Sequence, residues 1–140
     1  MPESGFLDTN VVVRYLMDDP PEMAEQAARI VEGETDLWLT DVVLAETAYV
    51  LRDVYHVSRE AIVDRLIDFI RRRNVTLCGL DKDMVIQGLL LCRPSGRVSF
   101  ADALIWAAAR SAGPRVVYSF DARFPSAGVE VRRTPTEYRS

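Results

Sequence analysis

The stretch Phe6-Leu7-Asp8-Thr9-Asn10-Val11-Val12-Val13-Arg14-Tyr15-Leu16 decides how the rest of the chain is read. An apolar pair stops at a carboxylate, and the apolar positions beyond it fit a helix over residues 11–17, with Asp8 or Asn10 as its N-cap. Phe6-Leu7 is then the end of a short first strand. The same alternation recurs downstream. A helix is expected over 21–33, opened by Pro21 and stopped by Gly33. Leu37-Trp38-Leu39 reads as a buried strand, and Thr40-Asp41 as the cap of a helix over 42–54. Ser58 and Glu60 open an amphipathic helix with Ile62, Leu66, Ile67 and Ile70 on its apolar face. Residues 75–78 suit a strand and 81–91 a helix. Residues 92–98, with Pro94, Ser95 and Gly96, form a loop. Ser99 begins the helix Phe100–Ala112, which Gly113-Pro114 ends. Val116–Tyr118 is a strand, 121–124 a turn and 129–131 a last short strand. Short apolar strands alternating with helices specify an α/β domain with a largely parallel sheet. In such folds the site lies outside the carboxyl ends of the strands.

Composition agrees with one folded domain over residues 1–140. The apolar fraction is 49% in 140 residues, enough for a core and too high for a disordered chain. Lys and Arg number 17 against 21 Asp and Glu, for a net charge of −4. That balance argues against a protein that simply coats phosphates. Cys78 and Cys92 form no C-x-x-C and no cluster with His, so neither a disulfide scaffold nor a zinc site is indicated. Met1-Pro2-Glu3-Ser4-Gly5 has no basic patch and no apolar run, and the longest apolar stretch, 42–51, is broken by Glu46 and Thr47. A soluble, cytoplasmic protein is expected, with no membrane contact.

Several chemistries are excluded by what is missing. There is no G-x-G-x-x-G and no G-x-x-x-x-G-K-[ST]. The single histidine, His56, sits at a helix end, where a structural role is the simpler reading. Neither thiol has an activating base nearby in sequence. Carboxylates remain. Asp8 follows the first strand directly, and Asp121 follows Val116–Tyr118 in Ser119-Phe120-Asp121. Each alone is more simply read as a turn or cap residue. Glu46 lies about one turn into a largely apolar helix, on a stripe it could share with solvent-facing Asp53. Asp102, in Ser99-Phe100-Ala101-Asp102, fits a capping box with Ser99, yet helical spacing also sets it on the face of Ile105, Trp106 and Ala109. No basic residue lies three or four positions away to pair with it. A carboxylate bordering an apolar face costs several kcal/mol unless paired.

Taken together, the four acids fall at one end of the parallel strands or on the helices leaving them. At ~4 Å and an effective dielectric of ~20 each close pair would cost about 4 kcal/mol. Raised pKa values or a divalent cation would relieve that repulsion. All-oxygen ligation without His or Cys suits Mg²⁺, or Mn²⁺, rather than zinc.

The same residues resemble a family. The opening run quoted above, Trp38-Leu39-Thr40-Asp41-Val42-Val43-Leu44-Ala45-Glu46, Phe100-Ala101-Asp102-Ala103-Leu104-Ile105-Trp106-Ala107-Ala108-Ala109 and Ser119-Phe120-Asp121-Ala122-Arg123-Phe124 are similar, in order, to the four acidic segments of PIN-domain proteins. In length the chain is most similar to the VapC-type toxins of bacterial toxin–antitoxin pairs. The resemblance implies a three-layer α/β/α fold and a Mg²⁺-dependent ribonuclease. Asp8, Glu46, Asp102 and Asp121 match its acidic quartet, and Thr9 and Ser119 match accompanying polar positions. It also implies a homodimer and a small antitoxin that covers the site. On this reading Asp8 and Asp102 are direct ligands, Glu46 and Asp121 act directly or through water, and Thr9 or Ser119 orients a carboxylate or the phosphate. Two Mg²⁺ would bring −4 to neutrality, so the acidity is partly the site itself and RNA affinity should depend on the metal.

Two other classes compete. In an aspartyl phosphatase or phosphotransferase Asp8 would be the nucleophile, but the usual Asp-x-Asp pair is broken by Asn10, and the sole lysine, Lys82, does not follow a late strand. In a non-catalytic interaction domain the acids would only attract a basic peptide. Among the cations, Arg71-Arg72-Arg73 suits a helix C-terminus. Arg93 and Arg97, flanking Pro94-Ser95-Gly96, are candidates for RNA phosphates. Tyr15, Tyr49 and Trp106 suit core packing better than base stacking.

Overall fold

Every helix but the one opened by Pro21 starts where a side chain can accept from the unpaired amides of the first turn. In the computed structural model, which describes residues 3–113 and 115–135, the order is β1 (Gly5–Phe6), α1 (Thr9–Met17), α2 (Pro21–Val31), β2 (Leu37–Leu39), α3 (Asp41–Asp53) and α4 (Arg59–Ile70). It continues with β3 (Val75–Leu77), α5 (Lys82–Cys92), α6 (Phe100–Ala112), β4 (Val116–Tyr118) and β5 (Glu130–Arg132). Asp8 caps α1, Thr40 α3, Ser58 α4, Asp81 α5 and Ser99 α6, each through a side-chain oxygen. Pro21 sits in the first turn of α2. The choice between Asp8 and Asn10 falls to Asp8, so α1 begins two residues before the expected start. Gly113, with φ of 104°, follows the last turn of α6, whereas Pro114, assigned with it to the helix end, lies outside the described residues, as do Met1 and Pro2. The class is mixed α/β with parallel strand pairing throughout.

The chain divides into two compact units, Met1–Cys78 and Gly79–Ser140. In the first, the strands lie in the order β1-β2-β3, with Phe6 opposite Trp38 and Trp38 opposite Thr76. Leu7 N donates to Trp38 O at 2.9 Å and Cys78 N to Leu39 O at 2.9 Å, which carries the ladder one residue beyond β1 and β3. Asp8 therefore leaves the sheet at its carboxyl edge. Right-handed crossovers between neighbouring parallel strands put both helix pairs on one face. Accordingly α1 packs on α2 and α3, and α3 on α4. Leu37, Leu39, Val75 and Leu77 are buried with Val12, Leu44, Leu51, Ile62, Leu66 and Ile70. Phe6 and Trp38, half a pleat away, are exposed and stack at 6.1 Å.

Polar bonds fasten the edge of this core. The Asn74 amide donates to Val31 O (2.9 Å) and Thr35 O (3.1 Å), closing the turn that enters β2. Tyr15 donates to Glu32 Oε2 at 2.9 Å, and burial together with that bond pushes its phenol above the ordinary value of 10.0, with Arg72 opposing. A raised folded-state value means stability that is intact below about pH 10 and lost as pH rises beyond it. Denaturant melts at pH 9 to 11 should therefore show a shallower decline for Tyr15→Phe than for wild type. Equal slopes would contradict this account.

The second unit packs α5 on α6 and pairs β4 with β5 in parallel. Gly88 of α5 lies so close to α6 that a Cβ there would sit 2.6 Å from Ala103 O. Trp106 is buried, 2% exposed, and its Nε1 donates to Ala127 O at 2.8 Å. Ser111 Oγ donates to Ala107 O (2.7 Å) and accepts from Asp81 N (3.0 Å), fixing the start of α5 against α6. No helix among the described residues is long and apolar enough to cross a membrane.

Candidate functional site

Residue 9 is the hinge of the acidic chemistry in the first unit. Because β1 runs straight into α1, Thr9 has both a free first-turn amide and a hydroxyl at the carboxyl edge of the sheet. Its N–H donates to Asp8 Oδ1 at 2.8 Å, and its Oγ1 donates to Glu46 Oε1 at 3.0 Å. One residue thus holds two carboxylates 38 positions apart in sequence. Glu46 reaches the edge because it lies in the second turn of α3, whose cap, Thr40, is the residue after β2. Both acids are exposed, and neither Asp8 Oδ2 nor Glu46 Oε2 is hydrogen-bonded among the described residues. They line a cleft of about 340 Å³ together with Thr9, Asn10, Arg14 and Tyr55. Arg14 donates to the Tyr55 hydroxyl at 3.2 Å.

In the second unit Asp102 stands half-buried in the first turn of α6, its amide donating to Ser99 Oγ at 3.0 Å. The helix-start bond of the expected capping box is therefore present. Asp121 follows β4 and is exposed. Its amide donates to Ser119 Oγ (3.0 Å), and its Oδ1 accepts from Arg123 N (2.8 Å), with Arg123 Nε at 3.8 Å. Ser119 thus fixes the backbone of Asp121, and the turn that follows is closed by the carboxylate.

The structure brings Asp8, Thr9 and Glu46 together and gives Asp121 a Ser119 support. Among the described residues no three His, Cys, Asp or Glu side chains gather as a metal site. The donor chemistry nevertheless fits a hard divalent cation, since Asp8 and Glu46 present oxygens that the protein leaves open. Arg97 lines a second cleft with Arg123, whereas Arg93, the C-cap of α5, is not among its lining residues. Trp106 is core, whereas Tyr15 and Tyr49, also expected to pack in the core, are only half-buried, Tyr15 donating to Glu32. Sequence reasoning gave no role to Arg14, Tyr55 or Arg123. Arg123 lay within the quoted closing segment, two residues after Asp121, and that spacing was the available signal.

The family model of the PIN domain matches residues 5–130. The chain belongs to the PIN-domain family. The match takes in all four acids and runs through residues of both compact units. PIN domains are in general metal-dependent nucleases, and that is the coarse activity that membership assigns. No curated protein matches the chain.

Proposed function

We propose that this PIN-domain protein is a Mg²⁺-dependent endoribonuclease, hydrolysing RNA phosphodiester bonds as the toxin of a toxin–antitoxin pair, with residues 1–140 acting as one nuclease domain. The observation that carries the reading is the pair of open carboxylate oxygens held by Thr9 at the end of β1. Asp8, Glu46, Asp102 and Asp121 would hold Mg²⁺, or Mn²⁺ in its place. When bound, the cation lowers the pKa of a water and stabilises charge on the phosphate during in-line attack. The chain's own residues set the geometry. Thr9 keeps Asp8 and Glu46 in register, and Ser119 fixes the backbone that carries Asp121.

Partners follow the same reading: an RNA substrate, a homodimer, and a small antitoxin that covers the acidic site in the cytoplasm. Support for an apolar partner segment comes from a groove between α1 and α2, where Met23 (52% exposed) and Ile30 (43%) stand open beside Val11 and Ala27. The test is cleavage of total RNA by the purified chain across Mg²⁺ and Mn²⁺ concentrations, with EDTA and Asp8→Asn as controls. Metal-dependent internal cuts, absent from both controls, are expected. Cleavage that survives EDTA would refute the reading.

Thr9→Val keeps the backbone N–H but removes the hydroxyl donor to Glu46. Loss of such a supporting bond typically costs about 10- to 100-fold in metal affinity or activity. The Mg²⁺ concentration for half-maximal cleavage should rise accordingly, and Thr9→Ser should restore it. An unchanged Mg²⁺ requirement in Thr9→Val would remove Thr9 from the site.

A further inference from the structure

The net charge of −4 conceals an uneven distribution. Met1–Cys78 carries 8 Lys and Arg against 15 Asp and Glu, net −7, whereas Gly79–Ser140 carries 9 against 6, net +3. A charge contrast of this kind within one chain is a pointer to a polyanion. Two loops, 94–98 and 122–126, face each other across a cleft of about 420 Å³, with Arg97 on one and Arg123 on the other. Both arginines are exposed. Among the described residues no carboxylate pairs with the Arg97 guanidinium, and the one beside Arg123, Asp121, stands 3.8 Å from its Nε. That contact joins two exposed groups and holds neither strongly.

The shape of the cleft is built by the same short-range bonds that shape the loops. Arg97 N donates to Ser95 Oγ at 3.3 Å, turning the first loop after Pro94. Arg123 N donates to Asp121 Oδ1, and Phe124 N to Asp121 O at 3.1 Å, turning the second. The lining is mixed: Leu91, Pro94 and Pro125 give apolar surface beside the two arginines, and Ser95 and Ser126 add hydroxyls. Guanidiniums fit a phosphate because each can donate two bonds to it, and apolar walls suit a base or ribose once it is unstacked. A space of this volume is of small-ligand size and does not admit a duplex.

We propose that the cleft between loops 94–98 and 122–126 binds one unpaired nucleotide of an RNA strand, its phosphate between Arg97 and Arg123 and its base or ribose against Leu91 and Pro125. The inference rests on the ribonuclease reading and deepens it by placing one nucleotide of the substrate strand on Arg97 and Arg123. Arg123 has a twofold part, since the turn that presents its side chain to the cleft is the one Asp121 closes.

Binding is measured by fluorescence anisotropy with a labelled ten-nucleotide single-stranded RNA, in Mg²⁺, on the full chain carrying Asp8→Asn so that the probe survives. Arg97→Ala and Arg123→Ala should each weaken binding about 3- to 10-fold and flatten the dependence of log affinity on log salt by about 0.7, one phosphate of a single strand. Arg71→Ala, which removes the same charge at the end of α4, should leave both readings unchanged. Arg97→Lys and Arg123→Lys should each keep the wild-type salt slope. The proposal is overturned if Arg71→Ala weakens binding as much as the cleft variants. It is also overturned if a duplex of the same length binds as tightly and depends equally on both arginines, or if the arginines carry binding of an acidic peptide and not of RNA. Cleavage by the unsubstituted protein is followed in parallel, which separates the two readings. RNA binding through Arg97 and Arg123 without cleavage removes the nuclease and keeps the cleft, whereas cleavage with indifferent arginines does the reverse.

Discussion

Asp8→Asn is expected to lower Mg²⁺-dependent RNA cleavage by at least about 100-fold, the scale of loss when one charge-stabilising group is removed from an active site. The substitution is chosen because it separates charge from structure. Asp8 has two functions in the fold: it ends β1 and accepts from the Thr9 amide as the cap of α1. Asparagine caps a helix about as well as aspartate, so the amide bond and the start of α1 should persist. What is lost is the negative charge near the helix N-terminus, worth about 0.3–1 kcal/mol, and a carboxylate oxygen able to bind a cation. Stability should therefore change little while activity collapses. Asp8→Ala should lose activity to the same degree and also about 1 kcal/mol of stability, through the cap. The two variants, compared by RNA cleavage and by thermal melting, distinguish a ligand from a merely structural aspartate. Mg²⁺-dependent cleavage undiminished in Asp8→Asn would end the assignment, and a phosphoryl group trapped on wild-type Asp8 would favour nucleophilic chemistry in its place.

The frame of this fold is written locally, which is why it could be read. Asp8 and Thr40 just after apolar strand ends, and Ser99 after the Pro94-Ser95-Gly96 loop, are one-residue signals, and each marks a helix start in the structure. Asp8, Glu46 and Asp102, at or within two turns of those positions, could be singled out because carboxylates beside apolar runs are conspicuous. What joins them was not legible. Thr9 and Glu46 are 37 positions apart, and nothing in either segment states that a threonine hydroxyl reaches α3. The role of Arg123 was hidden for the same reason, since its facing partner, Arg97, comes from another loop. Charge shows the limit most plainly. The boundary after Cys78 falls in Leu77-Cys78-Gly79-Leu80, without a linker composition, so the sum of −4 could not be divided into −7 and +3 before the compact units were known. The acidity that argues against a phosphate coat belongs to Met1–Cys78, and Gly79–Ser140 does not share it.

Gly88 gives the largest expected effect on stability, and helix propensity alone assigns it the wrong sign. Gly88 lies inside α5 with ordinary helical neighbours, where replacing glycine by alanine stabilises an isolated helix by about 1 kcal/mol. Packing opposes this. A Cβ at residue 88 would lie 2.6 Å from the backbone oxygen of Ala103 and 3.4 Å from the Trp106 ring, in the interface between α5 and α6. Neither neighbour can yield at low cost, because one is main chain and the other is a buried indole anchored to Ala127. Overpacking of this kind costs about 1–3 kcal/mol for a methyl group or two, so Gly88→Ala should be destabilising despite its propensity, and Gly88→Val should lose about 2–4 kcal/mol. The effect should reach activity as well. Ala103 follows Asp102 directly, so separating the helices displaces the first turn of α6 that carries this carboxylate. At temperatures where Gly88→Ala is still fully folded, its cleavage rate should fall more than its folded fraction explains. Thermal melting by circular dichroism, with cleavage measured well below the midpoint, tests both parts. An alanine variant more stable than wild type would show that α5 and α6 have room to separate, and would remove the close approach as a constraint on Asp102.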